Sequence, residues 1–130
     1  MTYTFIAPLY LILAKSSKGK KYHLNLNNYR NWRSAVSNNL KKKYKEVVST
    51  QLVDIKLKAP VEIKFTYIKG QNRKVDRANV LSVHEKFFCD ALVESGCLPD
   101  DNDLYIKKTT YVSQGVDPGN GRVEIEITEI

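Results

Sequence analysis

The sequence has 130 residues, the size of one domain, and carries 21 Lys and Arg against 14 Asp and Glu, a formal net charge of +7. Its apolar share of 42% suits a globular chain with a core of its own and excludes a disordered polypeptide. The basic balance fits a polyanionic partner, either nucleic acid or an anionic membrane surface. Cys89 and Cys97, with no CxxC pair or His/Cys cluster, exclude a zinc fold and read as free thiols of a reducing compartment.

Residues 1–130 read as a single domain. The apolar run Phe5 to Ala14 is about half the length that a membrane-spanning helix needs, contains Pro8 and lacks a basic leader. It belongs to a first strand, Tyr3 to Ala14, and the chain is expected to be soluble and cytoplasmic, with no membrane partner. A basic, glycine-bearing loop follows, Lys15 to Lys21. Tyr22 to Asn27 shows no decided period. From Asn28 to about Val48, the apolar residues Tyr29, Trp32, Val36, Leu40, Tyr44 and Val47 recur at helical steps and form one stripe. Lys41, Lys42, Lys43 and Lys45 crowd its later turns, where cations suit the helix dipole.

Pro60 ends an irregular stretch. Val61, Ile63, Phe65 and Tyr67 then alternate with Glu62, Lys64 and Thr66, the period of a half-buried strand. A polar, basic loop, Lys69 to Val75, leads into a second helix over Arg77 to Glu94, which stops before Gly96. The acidic turn Pro99 to Asp103 follows. Two strands close the chain, Leu104 to Val112 and Arg122 to Thr128, joined by Gly115 to Gly121. The order β-α-β-α-β-β predicts an α/β (α+β) fold, a small mixed sheet with two helices covering one face.

The chemistry concentrates between Arg73 and Asp103. Projected at about 100° per residue, Asn79, Lys86 and Asp90 fall within roughly 40° of one another on the second helix. Leu81, His84, Phe88 and Leu92 take the opposite side. Asp76 stands at the helix start, and Asp100, Asp101 and Asp103 follow its end. Carboxylates run against the charge trend of a basic chain. Framed by Arg73, Lys74, Arg77 and Lys86, they resemble a magnesium site within a phosphate-binding surface, the arrangement that phosphodiester hydrolysis needs. Lys86 is suited to neutralise charge on the phosphate. Each residue also has a plain structural reading. Asp76 suits a helix N-cap, Lys86 and Asp90 an exposed i, i+4 ion pair, and Pro99 to Asp103 a solvated turn. His84, Tyr29 and Trp32 suit the core, and Lys41 to Lys45 a solvated helix end.

Taken together, VDRANVLSVHEKFFCDALVESGCLPDDNDLYI resembles the signature segment of the RusA-like Holliday junction resolvases. The matching residues are Asp76, Asn79, Lys86, Asp90-Ala91-Leu92, Gly96 and Asp100-Asp101. The resemblance implies a RusA-type fold and a symmetric homodimer that cuts branched DNA, such as four-way (Holliday) junctions, in phage or prophage recombination or replication within a bacterial host cytoplasm. It implies magnesium as the cofactor, with manganese as a substitute. Asp76 and Asp101 would hold the metal, and Asp100 and Asp90 would be supporting ligands. Lys86 would contact the scissile phosphate, Asn79 would orient the site, and Arg73, Lys74 and Arg77 would bind DNA. Two departures stand out. Ala78 occupies the place of a second aspartate in the best-known members, and Asn79 and Lys86 lie about one helical turn further apart. They keep an alternative open: a non-catalytic module that binds branched or single-stranded DNA on the same fold.

Overall fold

The alternating segments become the centre of a sheet. The computed structural model describes residues 1–13 and 19–130. In it, β4 (Val61–Lys69) and β6 (Arg122–Glu129) are the inner strands of a four-stranded sheet. The edges are β1 (Thr2–Ala7), beside β6, and β5 (Ile106–Val116), beside β4. The sheet is mixed: β4 runs parallel to β5 and antiparallel to β6, and β1 is antiparallel to β6. Parallel neighbours cannot be joined by a tight hairpin. The crossover from β4 to β5 is α3 (Arg77–Glu94), which packs on the apolar face of the sheet. Its Phe88 ring lies 5.5 Å from Phe5 and 6.2 Å from Phe65. Beside it runs α2 (Ser34–Leu52), with Tyr44 stacked edge-on to Phe87 at 5.6 Å.

Ile63, Phe65, Val123, Ile125 and Ile127 point into this core and are buried, whereas Lys64 and Glu126 face outward as an exposed pair at 3.9 Å. Burying each large apolar side chain contributes about 1.5–3 kcal/mol, and an exposed pair contributes at most about 1 kcal/mol. The apolar core on the helix face therefore contributes most to holding the sheet, although Thr66 and Ile68, on the other face of β4, are buried as well. Among the described residues, no helix is long and apolar enough to cross a membrane.

Several boundaries differ from the sequence reading. The expected first strand is two strands: after β1, Pro8 interrupts pairing, and β2 (Tyr10–Leu13) leaves the main sheet to pair with β3 (Lys20–His23). Ala14 and most of the expected basic loop, Lys15 to Lys18, lie outside the described residues. Lys20 and Lys21 belong to β3 instead. The expected first helix is also divided. A single turn, α1 (Leu26–Tyr29), is capped by Asn25, whose side chain accepts from the Asn28 N–H at 2.8 Å. The Asn31 side chain donates to the Asn27 carbonyl at 2.9 Å. These asparagines satisfy the backbone locally and compete with a continuous helix.

Helix α2 then starts at Ser34 and extends past Val48 to Leu52. Its buried stripe is Leu40, Tyr44, Val48 and Leu52, while Val47 is exposed. Tyr29 and Trp32 do pack on the core, at 5.9 Å from each other and with Tyr29 at 6.2 Å from Phe87, but from outside α2. At the other end of the chain, β5 starts at Ile106 rather than Leu104 and runs through Gly115 to Val116.

His84 is fully buried between α3 and α2, with Nδ1 2.9 Å from the Tyr44 hydroxyl and Nε2 without a partner among the described residues. Burial pushes its pKa down to about 3, so the folded chain holds the ring neutral while the unfolded chain protonates it near pH 6.5. Its contribution to stability is complete above about pH 6.5 and is lost as pH falls toward 3. The slope is at most about 1.4 kcal/mol per pH unit. Urea unfolding between pH 7 and 5 is expected to show this slope, and His84→Gln is expected to flatten it. An equal slope in the variant would assign the acid lability to other groups.

Candidate functional site

At the end of β4 the chain leaves the sheet across the β5–β6 connection. The Asp117 N–H donates to the Lys69 carbonyl at 2.8 Å, and the Gly119 N–H donates to the Gly70 carbonyl at 3.0 Å. A Cβ on Gly121 would stand 2.7 Å from the Gly70 nitrogen, so any side chain there would push the crossing apart. Lys69 Nζ donates to the Arg73 carbonyl at 2.8 Å and folds the following loop back on itself. Facing this crossing are the β2–β3 hairpin and α1, tied down by the Leu24 N–H on the Leu9 carbonyl at 3.0 Å. Between the two walls lies a groove of about 1290 Å³.

The groove is basic. Lys21, Arg30, Lys69, Arg73 and Lys74 line it, and its single carboxylate is Asp76. Such a lining attracts a polyanionic backbone, and the N-terminus of α3 adds its own partial positive charge. Asp76 is the N-cap of α3, as its spacing suggested: Oδ1 accepts from the Ala78 N–H at 3.2 Å. Asn79 shares the groove wall with it. Arg77 points elsewhere, its guanidinium 3.4 Å from the Ser113 hydroxyl on β5.

A second acidic locus lies along α3. Positions 76 and 90 are fourteen residues apart, about 21 Å of helix at 1.5 Å per residue. Partial burial raises the pKa of Asp90. The nearby Lys41 opposes that shift, and the negative charges of Asp101 and Glu94 add to it. Asp101 follows the C-terminal end of α3 in the chain, at the end opposite Asp76. In the turn itself, Asp100 is occupied: its Oδ1 accepts from the Asp101 N–H at 2.7 Å and its Oδ2 accepts from the Asn102 side chain at 3.1 Å. The Asp101 carboxylate makes no hydrogen bond or ion pair with another described residue, and its side chain is exposed. The solvated-turn reading holds for Asp100, then, and leaves Asp101 available.

Lys86 does not pair with Asp90. Its ammonium lies 5.6 Å from the centre of the Tyr29 ring. The ion-pair partner of Asp90 is Lys41 at 3.9 Å, and Lys45 reaches Glu94 at 3.3 Å. Two of the lysines read as a solvated helix end thus bridge α2 to α3. Both cysteines are buried free thiols, and burial pushes Cys89 up to about 12, which leaves no reactive thiolate there at neutral pH.

The structure thus brings Arg73, Lys74, Asp76 and Asn79 into one groove and leaves Asp90 and Asp101 toward the other end of α3, with Lys86 on the helix between. Among the described residues, no group of three or more His, Cys, Asp or Glu could hold a metal ion. One chain alone does not fit the magnesium site that the sequence implied. The groove also recruits residues that the sequence reading passed over: Lys21, His23 and Arg30 from the hairpin and α1, and Asn120 from the β5–β6 connection. They are scattered along the chain, and only the docking of the hairpin gathers them.

The model of the family described as endodeoxyribonuclease RusA matches residues 14–128. No curated protein matches the sequence.

Removing both loop cations, by Arg73→Ala with Lys74→Ala, is expected to weaken DNA binding about equally for all sequences. It should also reduce the slope of log affinity against log salt by about two. Fluorescence anisotropy over a salt series reads this directly, and an unchanged slope would take the loop out of the interface.

Proposed function

Because the chain belongs to the endodeoxyribonuclease RusA family, we propose that it is a structure-selective endodeoxyribonuclease acting on branched DNA, four-way junctions above all, in phage or prophage recombination or replication. The family match over most of the chain carries this reading. The basic groove supports it, because cations spread over loop, hairpin and helix suit a phosphate backbone better than a small ligand. In this reading Arg73, Lys74 and the groove lysines position DNA, Lys86 contacts the phosphate to be cut, and Asn79 orients Asp76.

The proposed activity requires magnesium, with manganese as a substitute, and a homodimer. Asp76 and Asp101 are the proposed metal carboxylates, with Asp90 and Asp100 in support. Since these groups stand at two places in one chain, the proposed metal requirement is a property of two chains. Ala78 favours a second reading. It is an exposed residue on the first turn of α3, where the best-known relatives carry an acid, and its lack of a carboxylate suits a protein that holds branched DNA without cutting it.

Cleavage of a labelled four-way junction and a matched linear duplex, with and without magnesium, separates the two readings. Magnesium-dependent, junction-selective cutting is expected. Asp101→Asn is expected to lower it by at least about 100-fold while junction binding is retained. Tight binding without cutting by the unmodified chain would establish the non-catalytic reading, and full activity in Asp101→Asn would remove that residue from the metal site.

A further inference from the structure

We propose that Tyr29 is a positioning residue for Lys86. Its ring holds the lysine ammonium in place while leaving the charge and the N–H donors free for a DNA phosphate, so the docking of α1 sets where Lys86 acts. The action of Lys86 on a phosphate rests on the endonuclease reading. The hold of Tyr29 on Lys86 rests on the geometry.

Lys86 is exposed and has an ionic partner within reach that it does not take. Asp90 stands one helical turn further along α3, the spacing at which an exposed ammonium and carboxylate pair. Lys41 from α2 holds that carboxylate instead, at 3.9 Å. Among the described residues, the partner of the Lys86 ammonium is the Tyr29 ring, with the nitrogen 5.6 Å from its centre. The two kinds of partner differ in what they leave behind. A carboxylate neutralises the ammonium and must be displaced before a phosphate can take its place. An aromatic face attracts the cation through its quadrupole and leaves its charge and its N–H groups for a stronger acceptor. The ring itself is fixed. Trp32 and Phe87 pack on it in edge-to-face geometry, with centroids at 5.9 and 6.2 Å. Phe87 is buried in the core and follows Lys86 directly on α3, so one turn of that helix supplies both an anchor for the ring and the cation over it.

The single turn α1 faces two ways. Asn27, Asn28 and Arg30 line the basic groove, whereas Tyr29, its last residue, packs toward α3. Side chains brace the turn: Asn25 caps it, and the Asn28 side chain donates to the His23 carbonyl at 3.0 Å. A phosphate backbone lying in the groove therefore touches the same turn that fixes Lys86. Lys86 itself lies outside the groove lining, ten residues past Asp76, or about 15 Å along the helix. Tyr29 gives the groove and this distant lysine a common mount. A displacement of about 1 Å at a reacting centre can cost about 100-fold in rate, so a mount of this kind bears on the rate more than on the affinity.

Two measurements on the full chain test this. The proton shifts of the Lys86 ε-methylene read the contact directly. The ring current of Tyr29 is expected to move them upfield, Tyr29→Phe to keep that shift, and Tyr29→Leu to abolish it. Lys86 signals at ordinary lysine positions in the unmodified chain would overturn the hold. The second measurement is single-turnover cleavage of a labelled four-way junction with magnesium, alongside junction affinity by anisotropy. Tyr29→Leu is expected to cut at least about fivefold more slowly, with affinity within about twofold of the unmodified chain. Tyr29→Phe is expected to restore most of the rate. A merely structural role would lower affinity and rate together, and that result would overturn the positioning role, as would an unmodified rate in Tyr29→Leu. An unmodified chain that shows the upfield shift and binds the junction but cuts none would refute the endonuclease reading. The action of Lys86 on a scissile phosphate would fall with it, and the contact with Tyr29 would stand.

Discussion

The parallel pairing of β4 and β5 is the constraint on which the rest depends. Two parallel neighbours oblige the chain to return the full length of the sheet before it pairs again, and α3 makes that return. Its apolar side, with Phe87 and Phe88 buried against α2 and the sheet, fixes the helix as a rod. Everything attached to α3 is placed by that rod. Its N-terminus opens onto the crossing of Gly70 and Gly121, and its C-terminal half carries Asp90. A shorter crossover would have merged the two places. An eighteen-residue helix keeps them about 20 Å or more apart.

The charges divide along the same rod. On the α2 side, Lys41 and Lys45 are matched with Asp90 and Glu94. These pairs are too exposed to add much stability, but they lower the net charge of that flank. The groove at the other end keeps its cations with Asp76 as the only acid. Where the hairpin, the loop after β4 and the N-terminus of α3 meet, five cations thus stand against one carboxylate. Of the acids near the C-terminal end, Asp100 is engaged in shaping its turn and Asp101 is not, which makes Asp101 the better candidate to act on something outside its own chain.

Much of the fold was legible in the sequence wherever burial is one-sided. The alternation was read correctly in β6 and in the first half of β4, where one face meets the core and the other meets water; it fails at the end of β4, where Thr66 and Ile68 are buried as well. The limits of α3 were marked by a capping aspartate and by Gly96 at φ 76°. The hairpin was not legible. Its second strand, Lys20–His23, is too short and too exposed to show a period. The end of β5 was missed for the same reason, since none of its residues is fully buried. The break before α2 was hidden in a run of asparagines whose effect depends on which backbone groups they reach. At the site, a helical projection put Asn79, Lys86 and Asp90 within roughly 40° of one another. It carried no information on distance along the axis, so a motif contiguous in sequence became two places in space.

In the endonuclease reading proposed above, the acid set is complete only between two chains. The most direct measurement is the rate of junction cleavage per chain as the protein is diluted through its dimer dissociation, with sedimentation in parallel. Activity per chain is expected to fall in step with the dimer fraction. A rate per chain that stays constant while the protein becomes monomeric would contradict it.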